Sequence, residues 1–161
     1  MSDIRAKTIE GLESGDTFTI SRTFTEEDMT AFAYVTRDYN PVHFDDRFAK
    51  EKHFKGRICH GLLTAGMVTQ IGGQIGWLAT QMNFEFKKPV YFGDTITCHF
   101  TITEVDESGS ARAEAKMKNQ EGVTVVKAWI TGRLPGSRDI EVLEAMVAEG
   151  DPTNGLRPSR E

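Results

Sequence analysis

The spacing of hydrophobic positions divides the chain into an early helical part and a later part made of strands. Residues 16–24 (DTFTISRTF) alternate in part and are rich in threonine and phenylalanine, which predicts an opening strand. Thr25, with Asp28 three residues later, matches an N-terminal capping box, so a helix is expected to begin there. Pro41 disfavours helical geometry at the residue before it, so this helix must end before the proline. A short helix over 45–50 and then a loop are expected to follow.

A long apolar segment runs from His60 to about Thr80. Glycine costs stability inside a helix, and this segment contains Gly66, Gly72, Gly73 and Gly76. We therefore interpret it as a central helix that lies close to another backbone, such as a sheet wrapped around it. Four segments with strand-like composition and turn signals between them follow, at 82–92, 95–105, 109–119 and 123–134. They predict a meander of antiparallel strands, and hence an α+β domain whose single sheet curls around one helix.

The predicted domain covers residues 1–134, with its core at about 15–134. The sequence changes character over 135–161. The segment IEVLEAMVAEG predicts a short amphipathic helix, and the polar end DPTNGLRPSRE is typical of a flexible tail.

Composition narrows the classes of function. The chain has 161 residues, enough for one core, and a net charge of -5 without a dense block of Lys and Arg, so nucleic-acid binding is not expected. The N-terminus has no apolar signal-peptide region and no run of about 18 apolar residues occurs, which predicts neither secretion nor a membrane span. Cys59 and Cys98 form no CxxC pair, which favours buried thiols in a reducing, cytoplasmic compartment. No metal site is expected, because Cys59, His60 and His53 match no common zinc spacing.

The candidate chemistry lies in the stretch TRDYNPVHFDD, residues 36–46. Asp38 and His43 stand on either side of Asn40-Pro41, and the break in the helix there allows both side chains to face one cavity. A carboxylate and an imidazole that share a water can divide proton transfer between them. Gly61 opens the central helix and adds backbone N–H groups at a helix N-terminus. Each residue alone is more often structural than catalytic.

The combination resembles the MaoC-like hydratases, which include the (R)-specific enoyl-CoA hydratases. The resemblance rests on three motifs in order: Asp38-x-Asn40-Pro41-Val42-His43 after Tyr34 and Thr36 and before Ala49, then His60-Gly61, and then Lys87-x-Pro89-Val90 followed by Gly93-Asp94. It covers roughly residues 15–134. Two positions depart from the pattern, because Arg37 replaces a frequent glycine and Gly66 stands where some relatives carry a hydroxyl side chain, for which Thr64 is a possible substitute. Arg37 is expected to face solvent, to pair with an acid such as Glu26, or to contact substrate.

The resemblance implies a hot-dog fold, a homodimer or larger homo-oligomer, and no cofactor beyond the CoA of the substrate. It implies that Asp38 and His43 hold the water that adds to C3 of an enoyl thioester, while the Gly61 N–H stabilises the charge on the thioester oxygen. The product would be an (R)-3-hydroxyacyl thioester. The resemblance alone does not divide the acid and base roles between Asp38 and His43.

Five further residues are candidates for contacts with an acyl-CoA substrate. Asn40 is expected to brace the turn and touch substrate, and His60 to order the start of the helix. Positively charged side chains suited to the CoA phosphates are Arg57, Lys87 and Lys88. A short acyl group is expected, because bulky side chains such as Met67, Trp77, Met82 and Phe84 are available to narrow a tunnel.

Two other functions fit the same fold. A thioesterase of this fold generally places an acid on or opposite the central helix, but residues 61–80 contain no Asp or Glu. A protein that binds acyl-CoA without turnover would have no need of both Asp38 and His43. The sequence therefore favours hydration over both alternatives.

Overall fold

The computed structural model describes residues 2–151 and 153. Six α-helices and five strands occur in this part of the chain, in the order α1 (Asp3–Glu10), β1 (Thr17–Thr23), α2 (Glu26–Thr36), α3 (Asp46–Glu51), α4 (Gly61–Ala65), α5 (Met67–Ile75), β2 (Leu78–Phe86), β3 (Thr95–Val105), β4 (Ser110–Lys118), β5 (Thr124–Arg133) and α6 (Ser137–Ala148). A 3₁₀ turn, Pro41–His43, lies between α2 and α3. No helix among the described residues has the length and hydropathy that a bilayer crossing requires.

The strands form one antiparallel sheet in the order β1-β3-β4-β5-β2. The expected α+β class is confirmed, but the expected meander of four strands is wrong, because β2 pairs with β5 at the sheet edge instead of with β3. The connection after β2 does not turn back as a hairpin. It pairs instead with the segment before α4, where the Cys59 N–H donates to the Val90 carbonyl at 2.8 Å and Ile58 bridges to Tyr91.

The central helix is shorter than the sequence suggested. It breaks at Gly66, ends at Ile75, and is followed by β2 from Leu78 instead of continuing to residue 80. The end is local in origin, because Gly76 adopts a left-handed φ of 79° and its N–H donates to the Gly72 carbonyl at 2.8 Å.

The predicted close approach of a backbone to the helix glycines is also wrong. A Cβ added at Gly73 would meet nothing within 4 Å, and one at Gly72 would meet only the Cβ of Trp77, at 3.9 Å. A Cβ at Gly66 would lie 3.2 Å from the carbonyl oxygens of Leu62 and Leu63, but these belong to the preceding helix α4. The closest approaches occur at Gly61, where the Phe86 ring fills the space, and at Gly132, where Trp77 and β2 do.

The core lies between α5 and the concave face of the sheet. Val68, Ile71 and Ile75 are fully or almost fully buried, and every second residue of β4 from Ala111 to Met117 is buried as well. This alternation leaves the outer face of the sheet polar, as expected for an antiparallel sheet that is solvated on one side. Cys59 and Cys98 are buried in this core, and burial raises the pKa of each thiol to about 12.

Two terminal helices flank the domain. Helix α1 was not predicted from the sequence; it lies against α5 and buries Ile4, Arg5 and Thr8. The short helix predicted near the C-terminus is confirmed as α6. The tail predicted beyond it lies outside the described residues, apart from Asp151 and Thr153.

Candidate active site

The turn between α2 and α3 is built by local hydrogen bonds. The capping box at the start of α2 is confirmed, and the helix ends where Arg37 adopts a left-handed φ of 62°. The Asp38 carboxylate then accepts the Asn40 N–H at 3.2 Å, and the Asn40 side-chain oxygen accepts the Val42 N–H at 3.2 Å. The expected bracing role of Asn40 is therefore observed, and it brings His43 back toward Asp38.

His43 is buried, with 7% of its surface exposed, and a hydrogen bond to the backbone helps to orient its ring. Nδ1 lies 2.8 Å from the Ile58 carbonyl oxygen. Because a carbonyl only accepts, Nδ1 carries the proton and Nε2 keeps its lone pair. The pKa of His43 is lowered chiefly by burial, and the neighbouring His60 lowers it further, while the bond to Ile58 and the charge of Asp38 act in the opposite direction. The balance favours a neutral imidazole.

His60 lies against both of these groups. Its Nε2 is 2.9 Å from the backbone oxygen of Asp38 and 3.9 Å from the carboxylate oxygen Oδ2 of the same residue. Its ring stacks on the His43 ring, with centroids 3.7 Å apart. Although it is the N-cap residue of α4, its side chain makes no capping hydrogen bond. His60 therefore holds the start of α4 through its hydrogen bond to the Asp38 backbone and not through a capping bond.

A cavity of about 460 Å³ opens beside these residues. Its wall includes Asp38, His43, His60, Gly61 and Thr64, together with Phe54, Ile58, Cys59, Leu62, Phe86, Lys87, Lys88, Pro89, Val90 and Val126. The cavity thus combines an acid, a base with a free lone pair and the first residue of α4 with a largely apolar wall. Such a wall suits an acyl group and the polar groups suit a reaction at one end of it.

Potential metal ligands on Asp38, His43 and His60 lie within 4.8 Å of one another. His60, however, already uses Nε2 on the Asp38 carbonyl, and its Nδ1 is buried. A cation would have to break that bond or reach the buried Nδ1. The absence of a metal cofactor stays a prediction.

The comparisons with known proteins show the family of this chain. The family model described as "MaoC like domain" matches residues 12–127. This chain belongs to the MaoC-like dehydratase family. An (R)-specific enoyl-CoA hydratase of Rhodospirillum rubrum is 34% identical over 98 residues, which cover 58% of this chain and 68% of the relative. A mitochondrial 3-hydroxyacyl-[acyl-carrier-protein] dehydratase of Arabidopsis thaliana is 36% identical over 97 residues, covering 59% and 57%.

A solved structure extends the similarity to the fold. The (R)-hydratase from A. caviae involved in PHA biosynthesis superposes with a TM-score of 0.73 at 30% identity, covering 78% of this chain and 99% of the other. The fold is thus the hot-dog fold of the MaoC-like hydratases.

The positively charged candidates of this MaoC-like domain differ in their surroundings. Arg57 is engaged by Glu26 and by Asp46, the latter at 3.7 Å. Lys87 pairs with Glu85 at 2.8 Å, and both Lys87 and Lys88 line the cavity. Lys88 has no acidic partner among the described residues, which leaves it the better placed of the two lysines for a substrate phosphate. The substrate-binding roles of all three remain predictions.

Arg37 faces solvent, which is one of its three expected positions. Its guanidinium lies over the exposed ring of Tyr34, 5.0 Å from the centroid. The alternative pairing with Glu26 is wrong, because Arg57 takes that carboxylate. Arg37 therefore occupies the left-handed helix end where a glycine would be unstrained.

Some residues of the cavity wall are not predictable from the motifs alone. Phe86 covers Gly61, although its sequence pattern predicts no more than a strand residue. Its signal was present in the tight spacing to the Lys87-x-Pro89-Val90 motif. None of Met67, Trp77, Met82 and Phe84 is part of this wall, and Trp77 and Met82 line a separate cavity of about 220 Å³.

Proposed function

We propose that this member of the MaoC-like family is a hydro-lyase that reversibly adds water to a trans-2-enoyl-CoA, giving an (R)-3-hydroxyacyl-CoA. The observation that carries the proposal is that Asp38 and His43 line one cavity with Gly61, with the proton of the neutral His43 on Nδ1 and the lone pair on Nε2. The related proteins named as enoyl-CoA hydratases support the reaction class.

In the proposed hydration, the thioester oxygen accepts a hydrogen bond from the Gly61 N–H at the start of α4. A water lies between the Asp38 carboxylate, which accepts one of its hydrogens, and Nε2 of His43, which removes the other. As the water oxygen bonds to C3, the double-bond electrons move toward C2 and the thioester oxygen, where the N–H stabilises the negative charge. The proton on His43 then passes to C2 on the same face, which restores the neutral imidazole and completes a syn addition.

The preference for a short acyl group belongs to this proposal. The cavity of about 460 Å³ must hold the thioester and the end of the pantetheine arm as well as the acyl group. Met67, Trp77, Met82 and Phe84 do not line this cavity. The preference for a short acyl group therefore rests on the volume of the cavity and not on these side chains.

A homodimer is part of the same proposal. β2 is an edge strand, and large apolar side chains on it are exposed, namely Leu78, Met82 and Phe86. An open apolar edge of this kind is a template for pairing with another strand. Light scattering of the purified protein tests this, and a monomer at micromolar concentration would contradict it.

The test of the reaction is an assay with crotonyl-CoA. Loss of absorbance of the conjugated double bond and formation of the (R)-alcohol, identified by chiral analysis, are expected. Release of free CoA thiol without an alcohol would indicate a thioesterase. Tight binding without turnover for any acyl length would indicate a binding protein.

A further inference from the structure

His60 is enclosed by the residues that it contacts. Only 1% of its surface is exposed, and its ring contacts the His43 ring and the Phe32 ring, with centroid distances of 3.7 and 5.1 Å. The contact of Nε2 with the Asp38 backbone adds a third constraint. One side chain thus contacts both residues to which we assign proton transfer.

The hydrogen bond determines the tautomer of His60. The Asp38 carbonyl oxygen only accepts, so Nε2 carries the proton and Nδ1 carries the lone pair. That Nδ1 is buried and has no hydrogen-bond partner among the described residues. A buried acceptor without a donor costs about 1–3 kcal/mol, so a donor is expected close by.

Thr64 offers that donor. It lies four residues after His60, on the same side of the helical turn, and it is 1% exposed. Its hydroxyl has no partner among the described residues. Other threonines in the helices donate to a carbonyl three or four residues earlier, as seen at Thr8, Thr30, Thr36 and Thr69. The hydroxyl of Thr64 is therefore available for another acceptor.

We propose that Thr64 and His60 form a positioning relay for the active site. The two atoms are not bonded to each other directly, so the Thr64 hydroxyl donates to one buried water, which donates in turn to Nδ1 of His60 and so fixes the tautomer in which Nε2–H holds the Asp38 backbone. The stacked His60 ring holds the plane of His43 at the same time. His60 then acts on the reaction through Asp38 and His43 instead of contacting the substrate. The effect of His60 on catalysis rests on the proposed hydration. The hydrogen bonds of Thr64 and His60 do not depend on it.

The first experiment is independent of activity. Long-range proton–nitrogen NMR correlations of the imidazole rings identify the protonated nitrogen of each histidine. His53 and His99, which are exposed, serve as references and are assigned by His53→Gln and His99→Gln. We expect Nε2–H at His60 and Nδ1–H at His43. Thr64→Val is expected to move the Nδ1 resonance of His60, and Thr64→Ser to restore it. An Nδ1–H tautomer at His60, or no response to Thr64→Val, would overturn the relay.

The second experiment measures kinetics with crotonyl-CoA. His60→Phe keeps a ring but loses the donor, and kcat is expected to fall about 10- to 100-fold with KM changed less than about threefold, as for residues that orient catalytic groups. His60→Gln, which can donate from a similar position, should recover part of the loss. Thr64→Val should lower kcat several-fold and Thr64→Ser should restore it.

A matched control is Thr69→Val, which removes a hydroxyl that is bonded to its own helix and should leave kcat and KM unchanged. A raised KM with unchanged kcat in His60→Gln would show a substrate contact and overturn the positioning role. If His60→Phe does not fold, His60→Gln and Thr64→Val still decide the question. A wild-type protein without hydratase activity would refute the proposed function, while the NMR experiment would still test the relay.

Discussion

The start of α4 offers a substitution that separates folding from catalysis. A methyl group added at Gly61 would lie 2.7 Å from Cε1 and 3.0 Å from Cδ1 of the Phe86 ring. Ordinary contacts are about 3.5–4.0 Å, so the ring must move by roughly 1 Å. Phe86 is 53% exposed and can turn toward solvent, which places the cost near the low end of overpacking, about 1 kcal/mol. The higher helix propensity of alanine stabilises the folded protein by up to about 1 kcal/mol. The free energy of unfolding should therefore change by less than about 1 kcal/mol.

Catalysis should respond far more strongly to Gly61→Ala. The new methyl group lies in the cavity wall beside Asp38 and His43 and displaces the Phe86 ring from that wall, and a misplacement of about 1 Å at a reacting group costs about 10²-fold in rate. The assay is kcat/KM with crotonyl-CoA, measured beside urea unfolding. Gly73→Ala is the matched control, because its methyl group would meet nothing within 4 Å and should leave kcat/KM unchanged. Wild-type kcat/KM in a stable Gly61→Ala protein would refute the placement of the thioester at the start of α4.

Three further predictions concern pH, folding and substrate binding. Because the pKa of His43 is lowered below 6.5, kcat/KM should be level at neutral pH and fall on acidification with a midpoint below 6.5. Burial of the neutral ring stabilises the folded protein at pH values above 6.5, and this stabilisation is lost as the pH falls through the lowered pKa. A pH profile of kcat/KM whose acidic decline is centred above pH 6.5 would contradict the prediction. Thr25→Ala removes a capping box and should cost about 1 kcal/mol in urea unfolding; an unchanged midpoint would contradict it. Lys88→Ala should raise KM at low salt about two- to fivefold, and Lys87→Ala less, because Lys87 is already ion-paired; an equal effect would contradict the distinction.

Most of the correct predictions from the sequence rest on local patterns. The capping box at Thr25 and the turn through Asn40-Pro41 depend on residues within a few positions, and the structure confirms both. The alternation in β3 to β5 likewise follows from one face of each strand being buried. These features were predictable because the interactions that produce them lie within one element.

The errors concern interactions between distant segments. The pairing of β2 with β5 was not predictable from local pattern, because β2 is exposed on both faces and follows the connection to Ile58 and Cys59 instead of a hairpin. The glycine pattern in α5 suggested a contact that Gly73 does not make. In the site, the partner of His60 is a backbone carbonyl 22 residues earlier, and no side-chain pattern specifies such a partner.

The central claim is that Asp38 and His43 act together on one water. It is tested most directly by kcat for crotonyl-CoA hydration in Asp38→Asn, in His43→Ala and in the double variant, each checked for folding and for CoA binding. Each single variant is predicted to lose about 10²- to 10⁴-fold, and the double variant to lose little more than the worse single one, as expected for groups that act as a unit. Near-wild-type kcat in either single variant, or losses that multiply in the double variant, would contradict the account.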